Sequence, residues 1–187
     1  MWKDKIVQAT FWSNLFYSAS FPFIHIWLMR EVTEKMLSFN SMFICVAIIV
    51  FNTLWNKYSN KLYKFFPLLC ILETVTYIIL LTIVILGFVS PSIYYIIDTM
   101  TIALITRNVI CGGNKLRSLA YQKDKREKFD NTIMIANAVA TLVGGFVALM
   151  FDMPVWIALI VLEVSLVVDN IFYILAYYEN KIQTNKN

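Results

Sequence analysis

The 187-residue chain has one histidine, three cysteines and little charge, with Asp, Glu, Lys and Arg together making up 15% of it. Each shortage removes a class of function. With His25 alone there is no Ser/His/Asp arrangement and no H-E-x-x-H motif, and the chain has no phosphate-binding loop. No enzyme activity is therefore expected. Cys45, Cys70 and Cys111 lie in or beside apolar segments without C-x-x-C spacing. They support neither a disulfide framework nor a metal site and read as small buried hydrophobes. No cofactor and no metal are expected. The formal charge of +4 is clustered between apolar segments, which suits topology control and not nucleic-acid binding.

What is abundant is apolar: 59% of residues are hydrophobic and 16% aromatic. A soluble domain averages about 45–50% apolar and about 25% charged, so the chain reads as an integral membrane protein, expected in a bacterial cell membrane. Six segments have the length a bilayer span needs: 8–29, 40–56, 65–88, 92–112, 132–151 and 154–178. The first is too long for the core of a cleavable signal and contains Asn14, Pro22 and His25, so it is expected to stay as span one. Gly87 to Pro91 separates spans three and four, and Asp152 to Pro154 separates spans five and six. The expected fold is an all-α, six-helix transmembrane bundle forming a single domain.

Orientation follows from the basic residues. Lys3 and Lys5 precede span one, and Lys57, Lys61 and Lys64 follow span two. Lys115, Arg117, Lys123, Lys125, Arg126 and Lys128 fill the polar break Asn108–Asn131, and Lys181 and Lys186 end the chain. These thirteen of the sixteen basic residues fall on one side; Arg30 and Lys35 fall on the other, and Arg107 lies inside a span. Cationic loops stay inside, so both termini are expected in the cytoplasm. Arg30–Phe39 is the sizeable outer loop, read as an extension of the first helix or a short surface helix. Trp12, Trp27, Trp55, Tyr58, Tyr63, Tyr94, Tyr95, Trp156, Tyr177 and Tyr178 sit near span ends and read as interfacial anchors.

Ionisable groups inside spans are costly and usually face the protein interior. Glu73, Asp98, Arg107, Glu163 and Asp169 are such groups. Glu73, Arg107 and Asp169 fall at similar depth on three spans and suggest an ion-pair cluster, either structural or proton-coupled. Asp98 and Arg107 are nine positions apart, about 900° at 100° per residue, so a regular helix points them to opposite sides. Glu163, with no cation at its depth, is the first candidate for a proton site. Span one carries a polar stripe with Ser13, Asn14, Tyr17 and Ser20, and span five places Asn137, Thr141 and Gly144 on one face. The stripes suit either a polar cavity, with Asn14 and Asn137 on the pathway, or close helix packing.

Asn52–Lys61 reads N-T-L-W-N-K-Y-S-N-K and resembles the signature between helices two and three of major facilitator transporters. Leu54, Lys57 and Lys61 keep the character of their positions, Asn56 stands where the family has an acid, and Asn52 and Ser59 stand where it has glycines. Phe21-Pro22-Phe23, the Gly144-Gly145 pair, and Arg107 followed by Gly112-Gly113 are similar to that family as well. The resemblance implies a half-size secondary transporter for a small-molecule substrate, its pathway closed by a homo-oligomer or a second transporter half, with the lipid bilayer as its other partner. Two other classes fit the composition: the substrate-binding subunit of an energy-coupling-factor vitamin importer, and a non-transporting membrane immunity, chaperone or regulatory protein.

Overall fold

The structure is a computed structural model that describes residues 2–120, 123–151 and 154–184, with side chains over 10–120, 127–151 and 154–182. The described residues are helical and contain no strand. They form α1 (Trp2–Leu28), α2 (Glu34–Leu62), α3 (Phe66–Ile85), α4 (Pro91–Thr101), α5 (Arg107–Ala120), α6 (Lys123–Met150) and α7 (Val155–Thr184). A 3₁₀ turn at Tyr63–Phe65 joins α2 to α3, and a π-helical turn at Ile102–Thr106 joins α4 to α5. Local chemistry sets the ends. Thr33 caps α2 by accepting from the Met36 N–H at 3.4 Å, and Ser90 caps α4 through Ile93, with Pro91 at the first helical position. Gly87 closes α3 with a φ of +73°, while the Phe88 N–H reaches back to the Ile83 carbonyl at 3.0 Å.

Four helical stretches are long and apolar enough to cross a bilayer: Glu34–Ile85, Pro91–Ala120, Glu127–Met150 and Val155–Ile182. Only 17–33% of their most apolar windows is buried within the protein. The rest faces outward, as with Leu142 and Leu149, 72% and 83% exposed. Surface of that kind is compatible with hydrocarbon and not with water, in line with an integral membrane protein. α1 matches the others in length, but Ser13, Asn14, Ser18, Ser20 and His25 make it less apolar.

The chain divides into two compact units, one of His25–Gly113 and one of Met1–Ile24 with Asn114–Asn187. In the first of these, α2 and α3 both pack on α4 and the π turn. Asn40 is bonded to Tyr95, Asn52 to Arg107 and Trp55 to Asn108. Residue numbers rise together, so α2 runs parallel to α4–α5. On α3 they run in opposition: Tyr77 reaches Asp98, and Phe66 lies against Gly112, where a β-carbon would stand 2.2 Å from the ring. α3 is therefore antiparallel to both. The 52 residues of Glu34–Ile85 would extend about 78 Å if straight. Instead they fold back between Tyr58, which leaves helical geometry at φ −122°, ψ 24°, and the 3₁₀ turn.

In the other unit, α1 and α6 pack directly. Asn137 donates to Asn14 at 3.3 Å, and a β-carbon at Gly144 would stand 2.2 Å from the Ala19 carbonyl oxygen. Numbers again rise together, so α1 and α6 are parallel. Arg117 joins the end of α5 to the start of α6, donating to Asp130 at 3.3 Å and to Asn114 at 2.5 Å.

The polar breaks read from the sequence as loops are helical instead. Lys57–Lys64 continues α2 into the 3₁₀ turn, Asn108–Asn131 is helical through Ala120 and again from Lys123, and Arg30–Phe39 leaves the helix only before Glu34. Lys, Glu and Gln are good helix formers; their polarity marks the edge of the apolar layer, not the end of the helix. Residues 121, 122, 152 and 153, and the side chains of Lys3, Lys5, Lys123, Asp124, Lys125, Arg126 and Gln183–Asn187, lie outside the described residues.

The α1–α6 contact predicts a contrast between neighbouring glycines. Gly144→Val should destabilise by about 1–3 kcal/mol through overpacking against backbone, whereas Gly145→Ala, with nothing within 4 Å, should leave the melting temperature unchanged. Thermal unfolding of the detergent-solubilised variants measures both.

Candidate functional site

A polar layer lies inside the unit built from α2, α3 and α4–α5. Glu73 and Tyr77 are one turn apart on α3 and share a face; both are buried, Glu73 at 2% exposure. The Tyr77 hydroxyl donates to Asp98 Oδ1 at 3.0 Å, and Glu73, Tyr94 and Thr106 lie within its electrostatic reach. Asp98 is partly buried and its bonded partner is this neutral hydroxyl.

A second set of contacts lies beyond the π turn. Arg107 donates to Asn52 Oδ1 at 2.6 Å, the Cys111 thiol approaches the same oxygen at 3.5 Å, and the Trp55 indole N–H donates to Asn108 Oδ1 at 2.9 Å. The Arg107 Nε is buried and makes no hydrogen bond. A guanidinium holding a neutral amide keeps its full charge within an apolar helix, so it can attract an anion. A carboxylate held by a hydroxyl can exchange a proton without breaking an ion pair.

The π turn decides which side chains meet. It inserts one extra residue into the helix, so Asp98 and Arg107 are separated by eight α-helical steps, about 800°, and stand about 80° apart instead of on opposite sides. The sequence reading assumed 100° throughout and is corrected by this turn. Without the insertion, Thr106 would occupy the place of Arg107, and Arg107 that of Asn108 opposite Trp55.

Of the residues expected at a site, Glu73, Asp98 and Arg107 belong to this unit. Asn14 and Asn137 are bonded to each other in the other unit, where the buried Glu163 and the partly buried Asp169 lie on α7. The expected cluster of Arg107, Glu73 and Asp169 is divided between the units, and the Arg107 hydrogen bond goes to Asn52. On the polar stripes, Ser13 and Ser20 are buried, whereas Tyr17 is 42% exposed and Thr141 is exposed. Trp55, Tyr94 and Tyr177, read as interfacial anchors, are buried, while Trp12, Trp156 and Tyr178 are outward as expected. Sequence reasoning missed Asn52, Trp55, Tyr77 and Asn108 as contact residues. Asn52 and Trp55 are three apart and Glu73 and Tyr77 four apart, which is the signal that places each pair on one helix face.

No family model matches the chain, and no curated protein or solved structure matches it either.

Register at the π turn is testable by changing chain length. Deleting Leu104, which is 51% exposed, removes the extra residue and leaves Arg107, Asn108 and Cys111 in place; the protein should melt within a few degrees of wild type. Inserting an alanine after Leu104 turns the same three side chains away from α2 by about 100°. That variant should melt well below the deletion.

Proposed function

We propose that the chain is a half-size secondary transporter crossing the bilayer six times, with both ends in the cytoplasm, that moves a small solute coupled to protons. The observation that carries this reading is the polar layer beside the π turn: a carboxylate held only by a phenol, and a guanidinium held by an amide, inside helices otherwise built for hydrocarbon. Such groups are costly there and mark solute or proton pathways, and π turns recur at functional sites. In this scheme Asp98 exchanges the proton, with Tyr77 as its hydrogen-bond donor, and Glu73 lies close enough to respond to its charge. Arg107 attracts the anionic or polar part of the solute, and Asn52 positions it. Glu163, Asp169, Asn14 and Asn137 provide the polar groups of the other unit.

Helix directions support the topology. The fold-back within Glu34–Ile85 turns one apolar stretch into two opposed helices, so α1, α2, α3, α4–α5, α6 and α7 make six crossings. Because α1 and α6 are parallel, they start on the same side, and α7 returns there after a four-residue connection. Both ends then share a side, and the thirteen basic residues make it the cytoplasmic one. Closure of the pathway by a second copy, or by another half, completes the scheme.

Reconstituted vesicles under an imposed pH gradient, offered a panel of labelled small solutes, test this reading. Wild type should accumulate at least one solute, and Asp98→Asn should lower gradient-driven uptake on the order of 10²-fold while leaving solute exchange without a gradient. If no solute enters with wild type, and the variant melts and behaves identically, the layer is structural and the protein does not transport.

A further inference from the structure

A second concavity lies at the opening turns of α2 and α4, within the same unit but apart from the polar layer. It has a volume of about 240 Å³. Met36 and Phe39 of α2 and Ile96 and Met100 of α4 form its apolar walls, and Lys35 stands at its rim. The polar side chains beside it are engaged with the protein itself. Asn40 donates to the Tyr95 hydroxyl, and Thr99 donates to the Tyr95 carbonyl at 2.7 Å. Lys35 is exposed, and its ammonium is the one charge lining the groove.

That division of labour specifies an occupant. A polar solute would find its hydrogen-bonding partners already taken, while a purely apolar one would leave the lysine idle. An amphiphile with one hydrocarbon chain in the groove and an anion at its head satisfies both. Lys35 is in the first turn of α2, one residue after its acidic start at Glu34, where the polar edge of the apolar stretch lies. Lining residues run from Lys35 to Asn40 on α2, about 7–8 Å along the axis. The groove therefore extends from that edge into the hydrocarbon layer. Phe39 and Ile96 are 52% and 47% exposed, so the groove opens outward, where bilayer lipid is the available amphiphile.

We propose that this groove is a binding site for an anionic phospholipid, one acyl chain lying between α2 and α4 and the phosphate paired with Lys35. The site rests on the membrane reading alone and stands whether or not the protein transports.

The test is native mass spectrometry of the full-length protein released from nanodiscs of phosphatidylcholine and phosphatidylglycerol in equal parts. Wild type should retain phosphatidylglycerol about fivefold over phosphatidylcholine, the preference one lysine confers near an anionic lipid surface. Lys35→Gln should remove the preference while lipid is still retained. Met36→Trp, which fills the groove from an outward position, should lower retention of both lipids. Lys61→Gln, an exposed lysine at the other end of α2, should change neither. A Lys35→Gln protein that keeps the preference, or a Lys61→Gln protein that loses it equally, overturns the proposal, because bulk charge would then explain the result. Undiminished retention in Met36→Trp overturns the groove as the place where the chain lies.

Discussion

A polar group inside a helix that faces hydrocarbon has no water to turn to, so it must be hydrogen-bonded by the protein. Short side chains solve this on their own helix. Thr53 bonds to the Ile49 carbonyl, Thr76 to Leu72, Thr82 to Ile78 and Thr101 to Ile97, each four residues back. These residues place no demand on a neighbour and carry no packing information. Longer groups can reach across. Asn40, Asn52, Trp55 and Tyr77 each find a partner on α4 or α5, and those four reaches fix which helices lie together and in what direction. Apolar contact holds the unit together without specifying its register; the polar contacts specify it. Each interhelical bond in a membrane contributes only about 0.6 kcal/mol on average, so the selection comes from the cost of leaving such a group unpaired.

The π turn belongs to the same logic. Above it, Tyr95 and Asp98 face α2 and α3; below it, Arg107, Asn108 and Cys111 face α2. A regular helix could align one set with its partners but not both, since the two sets are out of phase by one residue. The extra residue between them absorbs the difference. Gly112 follows from the same alignment: with Cys111 toward Asn52, the next residue meets the fully buried Phe66 ring, and only a residue without a side chain fits.

Membrane character and helical class were legible in composition because both depend on totals. Apolar segment lengths were legible too, and Gly87, Ser90 and Pro91 announced the turn between α3 and α4 through well-understood caps. The ends of the other helices were not legible, because a lysine-rich turn is as helical outside the membrane as inside it. Trp55 shows the limit for side chains. An indole near a span end has two favourable fates, the interface or a bonded interior place, and the choice depended on Asn108, 53 residues away. Asp98 and Arg107 were identified as groups that must be sheltered, but their relative direction required a local change of helix type that no residue in Ile102–Thr106 signals.

The two units also share a plan that the sequence conceals. In one, α4–α5 from the second half of the chain lies parallel to α2 from the first half, and α3 follows α2 back. In the other, α1 from the first half lies parallel to α6 from the second, and α7 follows α6. Exchanging α1 with α4–α5, α2 with α6 and α3 with α7 turns one plan into the other. Along a chain of alternating crossings, α1 and α4–α5 run in opposite senses, so the exchange is an inverted repeat of three helices, the kind nested in six-helix transporter halves. No residue pattern repeats with it, because the parallel pairs are joined by different chemistry: Asn14 with Asn137 and a glycine against backbone in one, Asn40 with Tyr95 and Asn52 with Arg107 in the other. A repeat preserved in direction and partner but not in residue type is what remains when only the need to bond each sheltered polar group is held constant.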